Sequence, residues 1–573
     1  MNSKLKKIMG ICLSMVLAFS LALPVYAGST MSSFSNPDYE FDEETGHLTI
    51  GKDIKNKQIK DIVSIPIDKI KSVTIKDGVT SIGERAFANC TGLKEVTIGN
   101  GVKSISWDAF AGCTGLTSVD IPDSVKKIGS GAFHCCTGLT SITIPDSVKE
   151  IDRWALAECT GLTSITIPDS VKEIDGSAFC GCTGLTSVDI PDSVKKIGSH
   201  AFADCEGLTS ITIGKGVTSI SEWAFEGCTG LTSVDIPDSV TSIVEEAFAG
   251  CTGLTSVTIG SGVTEIETSA FGGCTGLTSI NVDARNTEYK SIDGILFSKD
   301  EKTLYTYPGG KKATNYIIPN SVTSISEWAF CGCTGLTSIT IPNSVTSIDV
   351  RAFSGCTGLT SINVDKGNPV YKSIDGVLFL KDGAILHIYP KGKVATNYII
   401  PDSVTKIDKC AFYGCTGLTS VNIPDSVIMI GQRAFWGCTS LTSITIPDSV
   451  IMIGDYAFKG CTSLTSITIP DSVTSIGERA FEDCKGLTSI TIPDSVTEIG
   501  HNAFAGCDGL TSINVDKGNP VYKSTNGVLF SKDKTRLIKY PAGKMETNYT
   551  IPDSVTKIDE WAFEGCNAKI YRK

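Results

Sequence analysis

The sequence predicts a β-rich solenoid of parallel strands, and three observations support this fold class. A unit of 23 residues recurs from about residue 72 to residue 573. Inside each unit the apolar residues alternate as they do along one face of a β-strand. Three related segments of 36 residues interrupt the series without disturbing its register. A unit this short cannot bury its own apolar face, so we expect the units to stack on one another.

The repeat can be written LxxIxIPxSVxxIxxxAFxxCxx, and its cysteine marks each copy. In one copy Leu139, Ile142 and Ile144 alternate as one face of a strand, and Val148 and Ile151 add apolar positions further round the turn. We expect equivalent strands to pair in parallel about 4.8 Å apart. The in-register cysteines predict about seventeen turns of 23 residues; they are Cys90, Cys113, Cys136, Cys159, Cys182, Cys205, Cys228, Cys251, Cys274, Cys333, Cys356, Cys415, Cys438, Cys461, Cys484, Cys507 and Cys566.

The three interrupting segments are related to one another. Each contains Tyr-Lys-Ser, Gly-Ile/Val-Leu-Phe, Tyr-Pro and Thr-Asn-Tyr, in that order. Short apolar runs separated by turn-forming pairs predict β-hairpins, which we expect to protrude from the stack without ending it. These inserts span about residues 283–318, 365–400 and 516–551.

The N-terminal residues predict export from the cell. Lys4, Lys6 and Lys7 precede an apolar run that ends near the small residue Ala27. A charged start, an apolar middle and a small-residue cleavage site are typical of a secretory signal peptide. We therefore expect a mature chain that is secreted or held at the cell surface. The predicted divisions are a signal peptide at 1–27, an N-terminal cap at 28–71 that includes a hairpin, and the solenoid with its inserts at 72–573.

The charge of the chain argues against two classes of partner. Its formal net charge is −12, and the predicted signal peptide would remove three Lys and no acidic residue. An acidic surface repels phosphate groups, so nucleic acid and anionic membranes are poor partners. We also expect no membrane insertion once the signal peptide is cleaved.

The pattern AFxxCxxLxxIxIPxSVxxI resembles the BspA-like class of leucine-rich repeats. The resemblance covers nearly all of the chain after Ser72, and the hairpin inserts are similar to those of that family. It implies a leucine-rich-repeat solenoid and a surface or secreted protein concerned with adhesion. It also implies binding of host or matrix proteins, as in some members of the family, but identifies no ligand.

The sequence contains no constellation of residues that indicates catalysis. Its five histidines lie far apart in a linear stack and share no acidic or cysteine partner in sequence, so we expect solvated surface side chains. Phosphate-binding loops, nucleophile elbows and paired zinc motifs are absent from the sequence. The recurring Asp of the Pro-Asp-Ser-Val segment is ordinary turn chemistry, and no calcium-binding repeat accompanies it. We therefore predict a protein that is not an enzyme and has no cofactor or metal.

The cysteine ladder admits two interpretations. Neighbouring turns would bring the Cα atoms close enough for disulfides, and exported proteins commonly form them. Parallel, inward-pointing side chains fit the disulfide dihedral poorly, however, and a small apolar residue suits the interior of each turn. We therefore expect mostly reduced, buried thiols. The cysteines outside the ladder are the expected candidates for reaction or bridging: Cys135, Cys180, Cys331 and Cys410.

The three residues between the last Ile of the repeat and the Ala-Phe pair vary most among the copies, and five of the six Trp fall there. Large exposed aromatic side chains are enriched at binding hot spots, which favours a recognition surface. Two other interpretations stay open, namely a plain solvent-facing loop and packing of each Trp over the Phe of the neighbouring turn. The candidate ligand-contact residues are Trp107, Trp154, Trp223, Trp328, Trp561 and Tyr456.

These observations favour a non-catalytic extracellular binding or adhesion protein. Its repetitive surface would engage a host protein, a matrix component or a glycan through many weak contacts, because repetition favours avidity over a single pocket. The alternative is a structural spacer or cell-envelope component without a specific ligand. A saturable binding isotherm would separate the two.

Overall fold

The computed structural model describes residues 34–36, 38–54, 58–59 and 65–572. The predicted signal peptide lies outside these residues. The chain forms a stack of turns in which equivalent strands pair in parallel, as predicted. Its register repeats at 23 residues, so that Ile142 pairs with Val119 and Ile151 pairs with both Ile128 and Ile174.

Each turn contributes one longer strand on one side of the stack. Its apolar residues face the core and its Ser and Thr face solvent, as in Glu95–Ile98. Residues 164 and 468 continue this row as isolated bridges. The strands are His47–Ile50, Ser72–Ile75, Glu95–Ile98, Ser118–Asp120, Ser141–Thr143, Ser187–Ile190, Ser210–Ile213, Ser233–Ile236, Ser256–Ile259, Ser279–Val282, Asn315–Ile317, Ser338–Ile341, Ser361–Val364, Asn397–Ile399, Ser420–Asn422, Ser443–Thr445, Ser489–Ile492, Ser512–Val515, Asn548–Ile551 and Lys569–Arg572.

A second, shorter strand follows the Pro-x-Ser-Val segment of a regular turn, or the Gly-containing segment that replaces it in some turns. It is two residues long, and its Ile points into the core. These strands are Ser81–Ile82, Ser104–Ile105, Lys127–Ile128, Glu150–Ile151, Glu173–Ile174, Lys196–Ile197, Ser219–Ile220, Ser242–Ile243, Glu265–Ile266, Ser324–Ile325, Ser347–Ile348, Lys406–Ile407, Met429–Ile430, Met452–Ile453, Ser475–Ile476, Glu498–Ile499 and Lys557–Ile558.

The third side of each solenoid turn carries the Ala-Phe pair. Its backbone forms a series of tight hydrogen-bonded turns instead of a strand. The amide of Phe87 donates to the carbonyl of Ala109 in the next turn at 2.7 Å, so this side is also hydrogen-bonded along the stack. The rings of Phe87 and Phe110 are nearly parallel, with centroids 5.1 Å apart. Buried Phe rings thus stack in successive turns of the core, and Leu156 takes the Phe position in one turn.

The N-terminal part of the described chain joins the stack directly. Phe34–Asn36 and Tyr39–Asp42 are antiparallel neighbours, and the latter pairs antiparallel with His47–Ile50. His47–Ile50 in turn pairs in parallel with Ser72–Ile75. A short 3-10 helix at Ile67–Lys69 leads into that strand. The first parallel strand is therefore also the last strand of a hairpin.

The inserts form antiparallel strands, but their hairpins do not protrude as we expected. In the first insert the amide of Ile280 donates to the carbonyl of Gly294 at the hairpin tip, at 2.8 Å. The tip therefore rests on the preceding turn, and the third strand of the insert pairs in parallel with the next turn. The insert strands are Tyr289–Ile292, Ile295–Ser298 and Thr303–Thr306; Tyr371–Ile374, Val377–Leu380 and Ile385–Ile388; and Tyr522–Thr525, Val528–Ser531 and Arg536–Lys539.

A buried asparagine explains why each hairpin lies within the stack. The side chain of Asn286 donates to the carbonyls of Gly260 and Val263 at 3.0 and 2.9 Å, and its oxygen accepts from the amides of Glu288 and Tyr289. Asn368 and Asn519 make corresponding bonds in the other inserts. The side-chain amide thereby supplies hydrogen bonds to main-chain carbonyls of the preceding turn. Burying these carbonyls without a hydrogen-bond partner would be costly.

The stack contains about 23 turns, more than the seventeen in-register cysteines. Each insert completes a further turn in which Tyr307, Tyr389 or Tyr540 takes the place of the Phe and stacks against or near the Phe of the next turn. These turns carry glycine at the ladder position, so the cysteine count does not include them. The predicted fold class is confirmed.

Candidate functional site

Except for Arg351, the residue immediately before Ala of the Ala-Phe or Ala-Leu pair has an unusual backbone conformation, with a positive φ. In Trp154 and Trp223, for example, φ is 57° and 55°. The amide of each donates to a carbonyl of the next turn at 3.2 Å, so these loops stack on one another. We call this set the loop row: Arg85, Asp108, Gly131, Trp154, Ser177, His200, Trp223, Glu246, Ser269, Trp328, Cys410, Arg433, Tyr456, Arg479, Asn502 and Trp561.

A positive φ is uncommon for residues other than glycine and is unfavourable for a bulky side chain. The loop row nevertheless carries glycine only at Gly131. Because the conformation recurs in turn after turn with different side chains, it is a requirement of the turn geometry rather than a mark of one site. The side chains vary on this fixed backbone.

Three of the predicted contact residues are about half exposed. The exposed fractions are 42% for Trp107, 44% for Trp154 and 47% for Trp561. Trp154 and Trp561 belong to the loop row, whereas Trp107 lies one residue earlier, next to Asp108. The guanidinium carbon of Arg85 lies 4.2 Å from the centroid of the Trp107 ring, which is a cation–π contact.

Trp223 and Trp328 are less exposed because neighbouring side chains cover them. The indole nitrogen of Trp223 donates to Glu246 of the next turn at 3.0 Å, and the ring lies 4.7 Å from that of His200 in the preceding turn. The Trp328 ring lies 5.5 Å from the guanidinium carbon of Arg351 in the next turn. These indoles contact neighbouring loop residues, in contrast to the alternative of packing over the buried Phe column.

Tyr456 belongs to an aromatic and cationic cluster that the sequence analysis missed. Its ring is nearly parallel to that of Trp436, with centroids 5.7 Å apart. The guanidinium carbon of Arg433 lies 5.2 Å from the Trp436 ring and 5.3 Å from the Tyr456 ring. Tyr413 contacts Trp436 edge-on from the preceding turn. Trp436 is the sixth Trp, and it lies outside the variable triplet because it follows Phe435.

A group of acidic side chains lies on the same outer side, after the Phe positions. Burial, followed by the charge of Asp204, raises the pKa of Glu226 to about 7. Burial also raises the pKa values of Glu158 and Asp204. Burial and these neighbouring carboxylates raise the pKa of the Cys180 thiol. Burial therefore favours the protonated forms of these carboxyl groups.

The described cysteines form no disulfides in the structure. The ladder thiols are instead hydrogen-bonded: Cys228 donates to the carbonyl of Phe202 at 3.1 Å, and Cys251 donates to that of Phe225 at the same distance. Burial raises the pKa of the Cys136 and Cys182 thiols to about 12. A thiol rather than a thiolate is unreactive, so the ladder consists of structural side chains.

The cysteines outside the ladder lie closer to the surface in three of four cases, and Cys410 is buried. The Sγ atom of Cys135 lies 3.4 Å from Nε2 of His134. Burial raises the pKa of Cys331 to about 11 and also raises that of Cys410. Bridging among these four is absent from the structure, and their reactivity stays a prediction.

One histidine departs from the expected solvated surface position. His387, in the second insert, is 6% exposed. Its Nδ1 lies 2.9 Å from a carboxylate oxygen of Asp408, and its Nε2 lies 3.1 Å from the carbonyl oxygen of Ile348. Burial alone would raise the pKa of Asp408, but the hydrogen bond and charge of His387 hold it at about 2. The partner was not found from sequence because it lies in the following turn.

The described residues contain no group of three or more His, Cys, Asp or Glu side chains placed to hold a metal ion. Within the same part of the chain, no helix has the length and apolar character needed to cross a bilayer.

Comparison with known families agrees with this architecture. A family model described as BspA type leucine-rich repeat region matches the chain in six copies, over residues 67–186, 174–302, 305–394, 389–511, 428–544 and 540–571. The chain belongs to the BspA-type leucine-rich-repeat family. Membership supports a repeat-based binding or adhesion role. Leucine-rich-repeat solenoids are generally non-catalytic and generally bind protein partners.

Several solved structures are similar to this chain. A leucine-rich-repeat protein from Bacteroides ovatus is 26% identical, with a TM-score of 0.37, over 86% of this chain and 100% of that one. A leucine-rich cell surface protein from Faecalibacterium prausnitzii is 25% identical, with a TM-score of 0.28, over 86% and 96%. The pneumococcal vaccine antigen PcpA is 19% identical, with a TM-score of 0.34, over 95% and 98%. No curated protein matches the chain.

Proposed function

We propose that this BspA-type protein acts outside the cell and binds an extended partner along its loop row. The partner would be a host protein, a matrix component or a glycan. The observation that carries the proposal is the set of large side chains in the loop row. Trp154 and Trp561, both members of the loop row, remain about half exposed. Such side chains are a frequent source of binding energy when a partner covers them.

The arrangement along the stack favours many weak contacts over one strong contact. The Trp residues of the loop row stand several turns apart, so a small ligand cannot touch them all. A long polymer or a surface with many copies of one group can. Linked contacts of this kind raise the overall affinity far above that of each single contact. The Trp436–Tyr456 cluster adds a further aromatic surface on the same side of the stack.

The proposed location rests on the order of residues at the N-terminus. A charged start, an apolar run and Ala27 are typical of an exported chain. Secretion is tested by expressing the chain in a bacterial host and determining the N-terminal residue of the protein recovered outside the cytoplasm. Gly28 is the expected first residue. Recovery of the uncleaved chain inside the cell would contradict the proposal.

The binding function is tested by incubating the purified chain with arrays of glycans and matrix proteins. We expect a saturable isotherm for at least one extended glycan or matrix protein, with much weaker binding of its short fragments. Short fragments that bind as tightly as the intact polymer would contradict avidity. If no array component gives a saturable isotherm, the structural-spacer alternative is favoured.

A further inference from the structure

Each insert turn interrupts the loop row. In the first insert Leu304 corresponds to Ile325 of the next regular turn, and Tyr307 corresponds to Phe330. Phe330 is the fifth residue after Ile325, whereas Tyr307 is only the third residue after Leu304. The insert turn therefore has no residue at the loop position. A gap opens between the loops of the flanking turns, and we call each of these three places an insert junction.

At the first two junctions the insert has an aromatic side chain at this place. Tyr305 lies against Tyr289, with ring centroids 5.4 Å apart. His387 occupies the corresponding position in the second insert, and its ring centroid lies 5.6 Å from that of Tyr371. His387 also approaches the carbonyl oxygen of Ile348 through Nε2 at 3.1 Å. The gap thus accommodates a planar ring next to Tyr289 in the first insert and next to Tyr371 in the second.

At the third junction the corresponding residue is Ile538, and the ring is missing. Tyr522 keeps its place, because its hydroxyl accepts from the amide of Ile499 at 2.9 Å, as Tyr289 and Tyr371 accept from Ile266 and Ile348. A cavity of about 100 Å³ lies beside it. The side chains that line this cavity include Tyr522, Ile538, Arg536, Lys539, Asn502 and Trp561.

The size of the cavity suits part of a six-membered ring. A closed cavity of about 150 Å³ is large enough to hold benzene. This cavity is smaller but partly open to solvent, so a ring can enter while its substituent stays outside. The carbonyl of Ile499 corresponds to that of Ile348, and the Ile538 side chain offers it no hydrogen-bond donor.

The charges around the cavity favour a neutral ring. Arg536 bonds both carboxylate oxygens of Asp559, at 2.6 and 2.8 Å, so the carboxylate that corresponds to Asp408 is already paired. Lys539 also lines the cavity and donates to the carbonyl of Trp561 at 3.1 Å. Two cationic side chains disfavour a further cationic ring there. A phenol is neutral and supplies one hydroxyl donor.

We propose that the cavity at the third insert junction binds the phenol ring of a tyrosine on a partner protein. The ring lies beside Tyr522 where Tyr305 and His387 lie at the other junctions, and its hydroxyl donates to the carbonyl of Ile499. The inference rests on the proposed binding function only in that a partner protein carries the ring. The cavity itself can be tested with the ring alone.

The probe is p-cresol, the small-molecule analogue of the tyrosine side chain. It is added to the whole purified chain, and its binding is followed by saturation-transfer NMR. We expect saturable binding with a dissociation constant on the order of 1 mM, which is ordinary for so small a ligand. Ile538→His and Ile538→Tyr reproduce the second and first junctions and fill the cavity. Both variants are expected to weaken p-cresol binding at least tenfold, and either one suffices if the other does not fold. Ile538→Val is the control and is expected to retain binding.

Three results would overturn the inference: no saturable effect of p-cresol on the parent chain, equal binding by the filled variants, or tighter binding of 4-methylimidazole than of p-cresol. The variant Trp154→Ser separates binding at this cavity from the proposed binding along the loop row, because it changes the loop row far from this junction. It is expected to leave p-cresol binding unchanged. If the parent chain binds p-cresol but gives no saturable isotherm with any array component, only the proposed function is contradicted.

Discussion

The thiol of Cys113 donates a hydrogen bond to the carbonyl oxygen of Phe87 in the preceding turn, with Sγ and O 3.2 Å apart. The same bond joins Cys136 to Phe110 and, further along, Cys461 to Phe435. The repeat therefore uses cysteine as a small side chain that also donates a hydrogen bond to a buried carbonyl. Disulfide formation would remove the donor from that carbonyl, which is unfavourable in a buried position.

This bond predicts the redox state of the ladder. After unfolding in an alkylating agent without reductant, most ladder cysteines are expected to carry the alkyl group, whereas the folded chain is expected to protect them. Mass spectrometry of the peptides checks this. The observation of consecutive ladder cysteines linked to each other would show that the ladder is oxidised.

The second prediction concerns the Phe column. Phe225 is fully buried between Phe202 and Phe248, with ring centroids 5.4 and 5.1 Å away. Phe225→Asp removes both contacts and buries an unpaired charge, so we expect a loss of at least about 4 kcal/mol in the free energy of unfolding. Phe225→Leu is the matched control, because Leu156 occupies this position in another turn. It is expected to cost about 1 kcal/mol. Equal denaturation midpoints for the two variants would contradict the assigned register.

The third prediction concerns the buried amide of an insert. Asn519 donates to the carbonyls of Pro493 and Val496 at 2.7 and 2.9 Å and accepts from two amides. Asn519→Ala leaves these groups unpaired in the interior, and we expect it to lower the unfolding free energy by about 2 to 4 kcal/mol. The exposed Asn548→Ala is the control, with an expected change within about 0.5 kcal/mol. Denaturant titration measures both, and a similar small effect in both would refute the role of the buried amide.

The fourth prediction concerns pH. The pKa of Glu226 in the folded chain is raised to about 7 by burial and by Asp204, from a usual value of 4.5. The folded state therefore binds the carboxyl proton of Glu226 more tightly than the unfolded state does. The contribution of this protonation to the free energy of unfolding rises as the pH falls from about 7 to about 4.5. It is lost as the pH rises through 7. We expect Glu226→Gln to stabilise the chain at pH 8 relative to the parent and to have little effect at pH 4.5. A difference in melting temperature that does not change between these two pH values would show that Glu226 titrates normally.

The sequence predicts the stack because the period, the alternation within each strand and the single Cys per turn all describe one register. The pairing of Ile142 with Val119 follows directly from that period. The interruption by three inserts was also predictable, since each begins and ends in the same place in the repeat. The position of the hairpins was not predictable, because it depends on whether Asn286 and its counterparts are buried. Asn is also an ordinary residue of exposed turns.

The candidate site was less predictable than the fold. Variation before the Ala-Phe pair indicates an outward-facing loop, but the exposure of each Trp depends on the residue at the same position in neighbouring turns. Trp223 is covered by His200 and bonded to Glu246, whereas Trp154 is not covered in this way. The contact between Trp436 and Tyr456 joins different positions of consecutive turns, so comparison of equivalent positions does not show it. His387 and Asp408 also lie at different positions of consecutive turns, so the same comparison does not show their contact.

The last prediction tests the loop row as a recognition surface. Replacing Trp154, Trp223, Trp328 and Trp561 together by Ser is expected to weaken binding of an extended ligand by about 100-fold or more, whereas each single change weakens it much less. The reason is that linked weak contacts multiply in avidity. The isotherm of the parent chain, measured against the ligand found on the arrays, provides the reference.

Stability separates recognition from packing in this experiment, because the four side chains do not have the same surroundings. Trp223 and Trp328 contact neighbouring loop residues, so their replacement is expected to cost about 1 kcal/mol of unfolding free energy each. Trp154 and Trp561 are about half exposed, and their replacement is expected to weaken binding with little loss of stability. Ser177→Ala and Ser269→Ala change the same loop position and are expected to affect neither quantity. If the fourfold variant stays folded and binds as tightly as the parent, the loop row is not the recognition surface, and the exposed face of the longer strands becomes the next surface to test.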